Sequence, residues 1–269
     1  MQDRGLAAYI AELIGTLFLV FVIGTVVSLY VSTNPAAQTG SDFAVVGLVH
    51  AFVLFGLIIS LGQVSGGHFN PVVTMGAAAL RRIDPVDAIV YILAQLSGGV
   101  LGALLVKGLL LDEGRATSYG NVEVSSLLGS NVQGGIVEAL GAFLLVLVIC
   151  AVALNPRARH EWAPWAIGAT LGFIVMVFAP LTGGSFNPAR WFGPALIGDA
   201  LDASDLLVFV LGPIIGAALA VAVYRFVIAG PQYALGPEPP SSAGETVENV
   251  AADVTTRARS VEDTRDRRD

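Results

Sequence analysis

Two stretches of the chain, Asn70–Leu80 and Asn187–Gly198, are apolar, open on Asn-Pro, and run for only eleven and twelve residues. A helix needs about 20 residues to cross roughly 30 Å of hydrocarbon, so neither can span a bilayer alone. Both nonetheless begin as helices should. An Asn side chain can accept an otherwise orphaned N–H, and the N–H that Pro lacks is no loss in a first turn. At about 1.5 Å per residue each segment is roughly 15 Å long, so two placed end to end fill one bilayer core. The pattern predicts two half-helices that meet at mid-membrane. The rest of the chain supplies the membrane domain around them, with six longer apolar runs at Leu6–Val31, Phe43–Gln63, Val86–Leu111, Val132–Leu154, Trp162–Thr182 and Leu206–Ala229. With 55% hydrophobic and 13% charged residues, the chain is too apolar for a water-soluble domain.

The chain also repeats itself. Glu12-Leu-Ile-Gly-Thr-Leu-Phe-Leu-Val is echoed by Glu138-Ala-Leu-Gly-Ala-Phe-Leu-Leu-Val, and Ser65-Gly-Gly-His-Phe-Asn-Pro-Val by Thr182-Gly-Gly-Ser-Phe-Asn-Pro-Ala. Ala94-Gln-Leu-Ser-Gly98 answers Gly212-Pro-Ile-Ile-Gly216. Three spans per copy, an odd number, require the second copy to insert upside down, so the half-helices enter from opposite faces. The expected fold is an all-α membrane protein of six transmembrane helices and two re-entrant half-helices, an inverted repeat of two three-helix halves. The expected channel domain covers residues 1–230, with repeat one at about 6–111 and repeat two at about 132–229. Residues 231–269 read as a disordered cytoplasmic tail. From Gly230 on, the chain carries five Arg and eight Asp or Glu, so the net charge of −7 says little about partners and no nucleic acid is expected. Arg81, Arg82, Arg157 and Arg159 fall in loops on the side of the termini, while the other side offers Arg115 and Lys107. Both termini are therefore expected in the cytoplasm of a multi-pass protein, in the cell membrane. The first apolar run contains Glu12 and no small-residue cleavage site, which predicts a retained N-terminus. The single cysteine, Cys150, allows neither an internal disulfide nor a cysteine-based metal site, and no metal or cofactor is expected.

An irregular backbone at membrane depth is tolerated where it is buried in protein or lines water. Gly66-Gly67 and Gly183-Gly184 suit such loops, with the carbonyls of Gly66, Gly67, His68, Gly183 and Ser185 expected to form acceptor ladders. Asn70 and Asn187 supply donors where the ladders meet, and each half-helix adds about half a positive charge at its N-terminus. Together these features describe a passive path for neutral polar solutes that repels cations, and no enzyme. Glu12 and Glu138 could be proton-relay carboxylates, but their symmetric placement favours holding the re-entrant loops through N–H groups. His68 reads as a loop-packing residue. The Gly98/Gly102 and Gly212/Gly216 pairs read as close helix packing.

From Leu6 to Ala229 the chain resembles the major intrinsic protein family, the aquaporins and glycerol facilitators. The likeness rests on the two Asn-Pro boxes, the Glu-led repeat, Arg190 after the second box, and the Ser65-Gly-Gly-His and Phe192-Gly-Pro flanks. It implies a homotetramer in membrane lipid with one pore per protomer. Val72 departs from the family's usual Ala, which predicts a slightly altered packing of the half-helices. The family's selectivity filter maps by spacing onto His50, Val175, Gly184 and Arg190. This His–aliphatic–Gly–Arg set looks like that of plant vacuolar-membrane aquaporins and their animal counterparts, a branch associated with ammonia and hydrogen peroxide as well as water. The rival within the family is a glycerol facilitator, which usually has Asp after the pore Arg and paired filter aromatics; Trp191, Val175 and Gly184 stand here instead. In helix six, Phe209 looks water-channel-like while Val210 is not the usual Trp. From other classes, an ion-coupled secondary transporter would need a titratable midplane site, where two neutral Asn stand, and a non-conducting scaffold would leave osmotic flux unchanged.

Overall fold

A computed structural model of the chain describes residues 5–31 and 42–229; the expected tail at 231–269 lies outside the described residues. Among them every regular element is helical, and six helices are long and apolar enough to cross a membrane. The chain is an integral multi-pass membrane protein. The first three long helices are α1 (Gly5–Tyr30), α2 (Phe43–Ser65) and α4 (Pro85–Leu109), and the fourth and fifth are α6 (Asn131–Val152) and α7 (Ala163–Thr182). The half-helices are α3 (Pro71–Ala79) and α8 (Pro188–Ile197).

Two elements differ from the sequence expectation. A short helix, α5 (Leu111–Arg115), follows the third span where a loop was expected. The sixth span is not uniform, because a π-helical turn (Leu207–Leu211) precedes α9 (Gly212–Val223) and another (Tyr224–Ala229) follows it. The first turn has a local cause. Pro213 has no N–H to offer and its ring crowds the carbonyl four residues back, and the N–H of Gly212 donates to Leu207, five residues back. The helix widens around the proline rather than breaking.

Residues one turn apart on α1, namely Leu6, Ile10, Ile14 and Phe18, are 38–71% exposed, whereas Glu12 and Thr16 on the opposite face are fully buried. Apolar residues outside and polar ones inside suit lipid as the solvent. Glycines set how closely the helices approach. A Cβ on Gly98 would strike the Leu13 carbonyl, and one on Gly102 would come 2.5 Å from that of Leu17, both on α1. Gly216 and Gly212 meet Ala139 and Gly135 of α6 in the same way. Such small-residue seams let helix backbones touch where no hydrophobic effect drives association. Val72 is fully buried beside Val146, Cys150 and Ala217, so the extra methyls are absorbed by an apolar cluster behind α3.

Candidate functional site

The two half-helices meet N-terminus to N-terminus. Asn70 adopts an extended backbone and its side-chain oxygen accepts from the Val72 N–H at 3.0 Å, capping α3. Asn187 caps α8 in the same way, accepting from Ala189 at 3.0 Å and Arg190 at 3.3 Å. The amide nitrogens are then free to reach across. Asn70 Nδ2 donates to the Phe186 carbonyl at 3.0 Å, and Asn187 Nδ2 donates to the Phe69 carbonyl at 2.9 Å. Each amide group has two N–H bonds, and one per Asn joins the halves.

The loops before the boxes are bent in the left-handed region at matching positions: Gly66, Gly67 and Phe69 (φ 93°, 67° and 47°), then Gly183, Gly184 and Phe186 (77°, 66° and 51°). For a bulky residue such as Phe this backbone is strained and must be imposed by its surroundings. The duplicated Glu-x-x-Gly motif imposes it. Glu12 accepts from Ser65 Oγ (2.6 Å), the His68 N–H (2.9 Å), the Phe69 N–H (2.7 Å) and Gln95 Nε2 (2.8 Å). Glu138 accepts from Thr182 Oγ1 (2.7 Å), the Ser185 N–H (3.1 Å) and the Phe186 N–H (2.6 Å). One turn along, Gly15 and Gly141 leave room for the rings of Phe69 and Phe186, which a Cβ would overlap. Thus one helix face grips the backbone of each Phe and seats its ring. The sequence reading missed both Phe residues; their repeated place just before each Asn-Pro was the available signal. His68 packs edge-on against Tyr91, with ring centroids 5.4 Å apart, and its Nδ1 lies 3.0 Å from Thr74 Oγ1. Ser185 Oγ donates to the Asn187 carbonyl at 2.9 Å.

Of the four positions expected to form the filter, His50 and Arg190 are 1% and 2% exposed and interact electrostatically, as do Arg190 and Glu138. His50 Nδ1 lies 2.7 Å from the Val46 carbonyl. A carbonyl can only accept, so Nδ1 carries the proton, and in the neutral ring Nε2 is an acceptor. Arg190 Nη1 donates to the Gly120 carbonyl at 2.6 Å. His50 Nε2 and Arg190 Nε and Nη2 are buried and bond to no described residue. A buried polar atom without a partner is costly, and these three leave one acceptor and two donor atoms with hydrogen-bonding capacity unused among the described residues. Val175 is fully buried in an apolar cluster with Leu171 and Ala179. Gly184 is buried at φ +66°, a conformation that favours glycine. No group of His, Cys, Asp and Glu that could hold a metal occurs among the described residues.

The sequence profile of the family described as Major intrinsic protein matches residues 2–224. The chain belongs to the major intrinsic protein family. As a member of this family it is a channel protein rather than an enzyme. It is 38% identical over 218 residues to the glycerol uptake facilitator protein-like 6 of Lactiplantibacillus plantarum, covering 81% of this chain and 96% of that protein. It is 34% identical over 229 residues to the Arabidopsis thaliana aquaporin TIP2-3, covering 84% of this chain and 88% of the relative. Its fold is similar to the X-ray structure of the aquaglyceroporin from Plasmodium falciparum, with a TM-score of 0.70, 20% identity, and coverage of 83% and 96% of the two chains. Each of these likenesses covers more than four fifths of this chain.

Proposed function

We propose that the chain is a passive channel for water and small neutral solutes, ammonia and hydrogen peroxide among them, with selectivity set by His50, Val175, Gly184 and Arg190. The observation that carries this reading is the unmet set of polar atoms on the buried side chains of His50 and Arg190. Water, ammonia and peroxide each offer both a donor and an acceptor in a small volume, which suits an imidazole acceptor together with guanidinium donors. The head-to-head half-helix N-termini at Asn70 and Asn187 and the permanent charge of Arg190 disfavour cations, protons included. Glu12 and Glu138 hold the re-entrant loops, whose carbonyls at Gly66, Gly67, His68, Gly183 and Ser185 form the acceptor path. Residues 1–230 are the channel domain, and 231–269 a cytoplasmic tail. A homotetramer in the cell membrane with cytoplasmic termini is in keeping with the arginine distribution and with the family.

The test is a liposome panel of water, glycerol, urea, ammonia and hydrogen peroxide. Fast osmotic shrinkage, faster alkalinisation under an ammonium gradient, and slow glycerol entry are expected. Rates equal to those of empty vesicles would sink the reading. A glycerol facilitator is favoured by the name of the Lactiplantibacillus relative, and glycerol entry as fast as water would install it instead.

A further inference from the structure

The partner that Arg190 finds among the described residues is the Gly120 carbonyl, which lies in neither half-helix nor re-entrant loop but in the segment after α5. Whatever sets the depth of that carbonyl sets the guanidinium. Gly120 has φ +89°, and its backbone rests directly on α1: a Cβ built on Gly120 would lie 2.5 Å from Gly24 Cα. Conversely, a Cβ on Gly24 would come 2.9 Å from the Tyr119 carbonyl oxygen and 2.9 Å from Val106 Cγ2. The first of these contacts is with backbone and cannot be relieved by a rotamer change. The segment is tied down on either side. Ser28 Oγ donates to the Gly24 carbonyl at 2.8 Å and lies 3.1 Å from Thr117 Oγ1, and the Tyr119 N–H donates to Gly114 at 2.6 Å. Lys107 Nζ sits 5.3 Å from the Tyr119 ring centroid.

We infer that Gly24 is a positioning residue for the filter: its missing side chain lets the Tyr119-Gly120 backbone sink onto α1, and that depth places the carbonyl that orients Arg190. This rests on the reading of Arg190 as the filter cation. A methyl at position 24 lifts the carbonyl away, and the guanidinium, losing its acceptor, swings to a new direction although no filter residue has changed.

The experiment pairs transport with a direct measure of the contact. Gly120-Asn121 is the only Gly-Asn pair in the sequence, so carbonyl-13C glycine with 15N asparagine identifies the Gly120 carbonyl by solid-state NMR, and 15N arginine reports its contact with a guanidinium. In Gly24→Ala the contact is expected to weaken, and the urea-to-water permeability ratio in liposomes to change by about threefold or more. Gly24→Ala/Val106→Ala relieves the clash on the α4 side only. It is expected to keep both changes, and it serves as the probe if Gly24→Ala alone does not fold. A wild-type contact and ratio in Gly24→Ala, or their restoration in the double variant, would overturn the inference. If wild-type vesicles conduct nothing, the channel reading falls while the NMR contact still decides the positioning.

Discussion

The two copies of the repeat build the same grip and then diverge at the residues beside it. In both, a buried glutamate holds the loop N–H groups and a glycine one turn on receives the Phe ring. In copy one the third residue after the Asn is Val73, the fourth is Thr74, and Gln95 Nε2 ties Thr74 (2.9 Å) to Glu12 (2.8 Å). In copy two those places hold Arg190, Trp191 and Pro213. Glu138 thus has three hydrogen-bond donors against four for Glu12, and the charge of Arg190 acts on it instead. The symmetric residues bend and hold the backbone, whereas the asymmetric ones carry the charge and the unmet donors. At these positions copy one is neutral, whereas copy two holds a cation whose Nη1 donates to the Gly120 carbonyl at 2.6 Å.

The largest effect is expected from removing the grips. Glu12→Ala orphans four buried donors and Glu138→Ala three. At about 1–2 kcal/mol per orphaned group, the expected losses are about 4–8 and about 3–6 kcal/mol, with Glu12→Ala the worse. Denaturant titration of purified protein checks this, and equal or reversed losses would mean that the Arg190 charge contributes more to Glu138 than Gln95 does to Glu12. Next in size, Gln95→Leu removes the link between Glu12 and Thr74 and is expected to cost about 2–3 kcal/mol in the same titration. Exchanging the asymmetric charge comes third. Arg190→Val is expected to raise proton leak in vesicles about tenfold, equivalent to about 1.4 kcal/mol of barrier, and Val73→Arg to leave the leak as it was. An unchanged leak in Arg190→Val would place the barrier wholly at the Asn-Pro turns. The smallest effect is expected from Pro213→Ala, which returns an N–H to the sixth span and should shift stability by less than about 1 kcal/mol, because the π-helical turn already accommodates the ring. A larger loss would make Pro213 as structural as its counterpart Gln95.

Much of the grip was legible because it is local or repeated. Asn-Pro marks a helix start by capping chemistry that needs no tertiary partner, and Glu12 and Gly15, like Glu138 and Gly141, share a helix face by spacing alone. Phe69 and Phe186 were not legible as left-handed residues, because nothing in a Phe side chain favours φ near 50°; the neighbouring helix compels it. The partner of Arg190 was invisible for another reason. It is a backbone carbonyl 70 residues away, and backbone carbonyls leave no mark on sequence.

The half-helices, their N-terminal caps and the duplicated glutamates can be read along the chain, since helix length, cap chemistry and repeat spacing are properties of short segments. Which carbonyl accepts from the Arg190 guanidinium, and how deeply it sits, depends on how distant segments pack. That depth depends on two glycines from distant parts of the chain, Gly24 and Gly120, touching through their backbones, and contact between distant backbones is written in no local pattern.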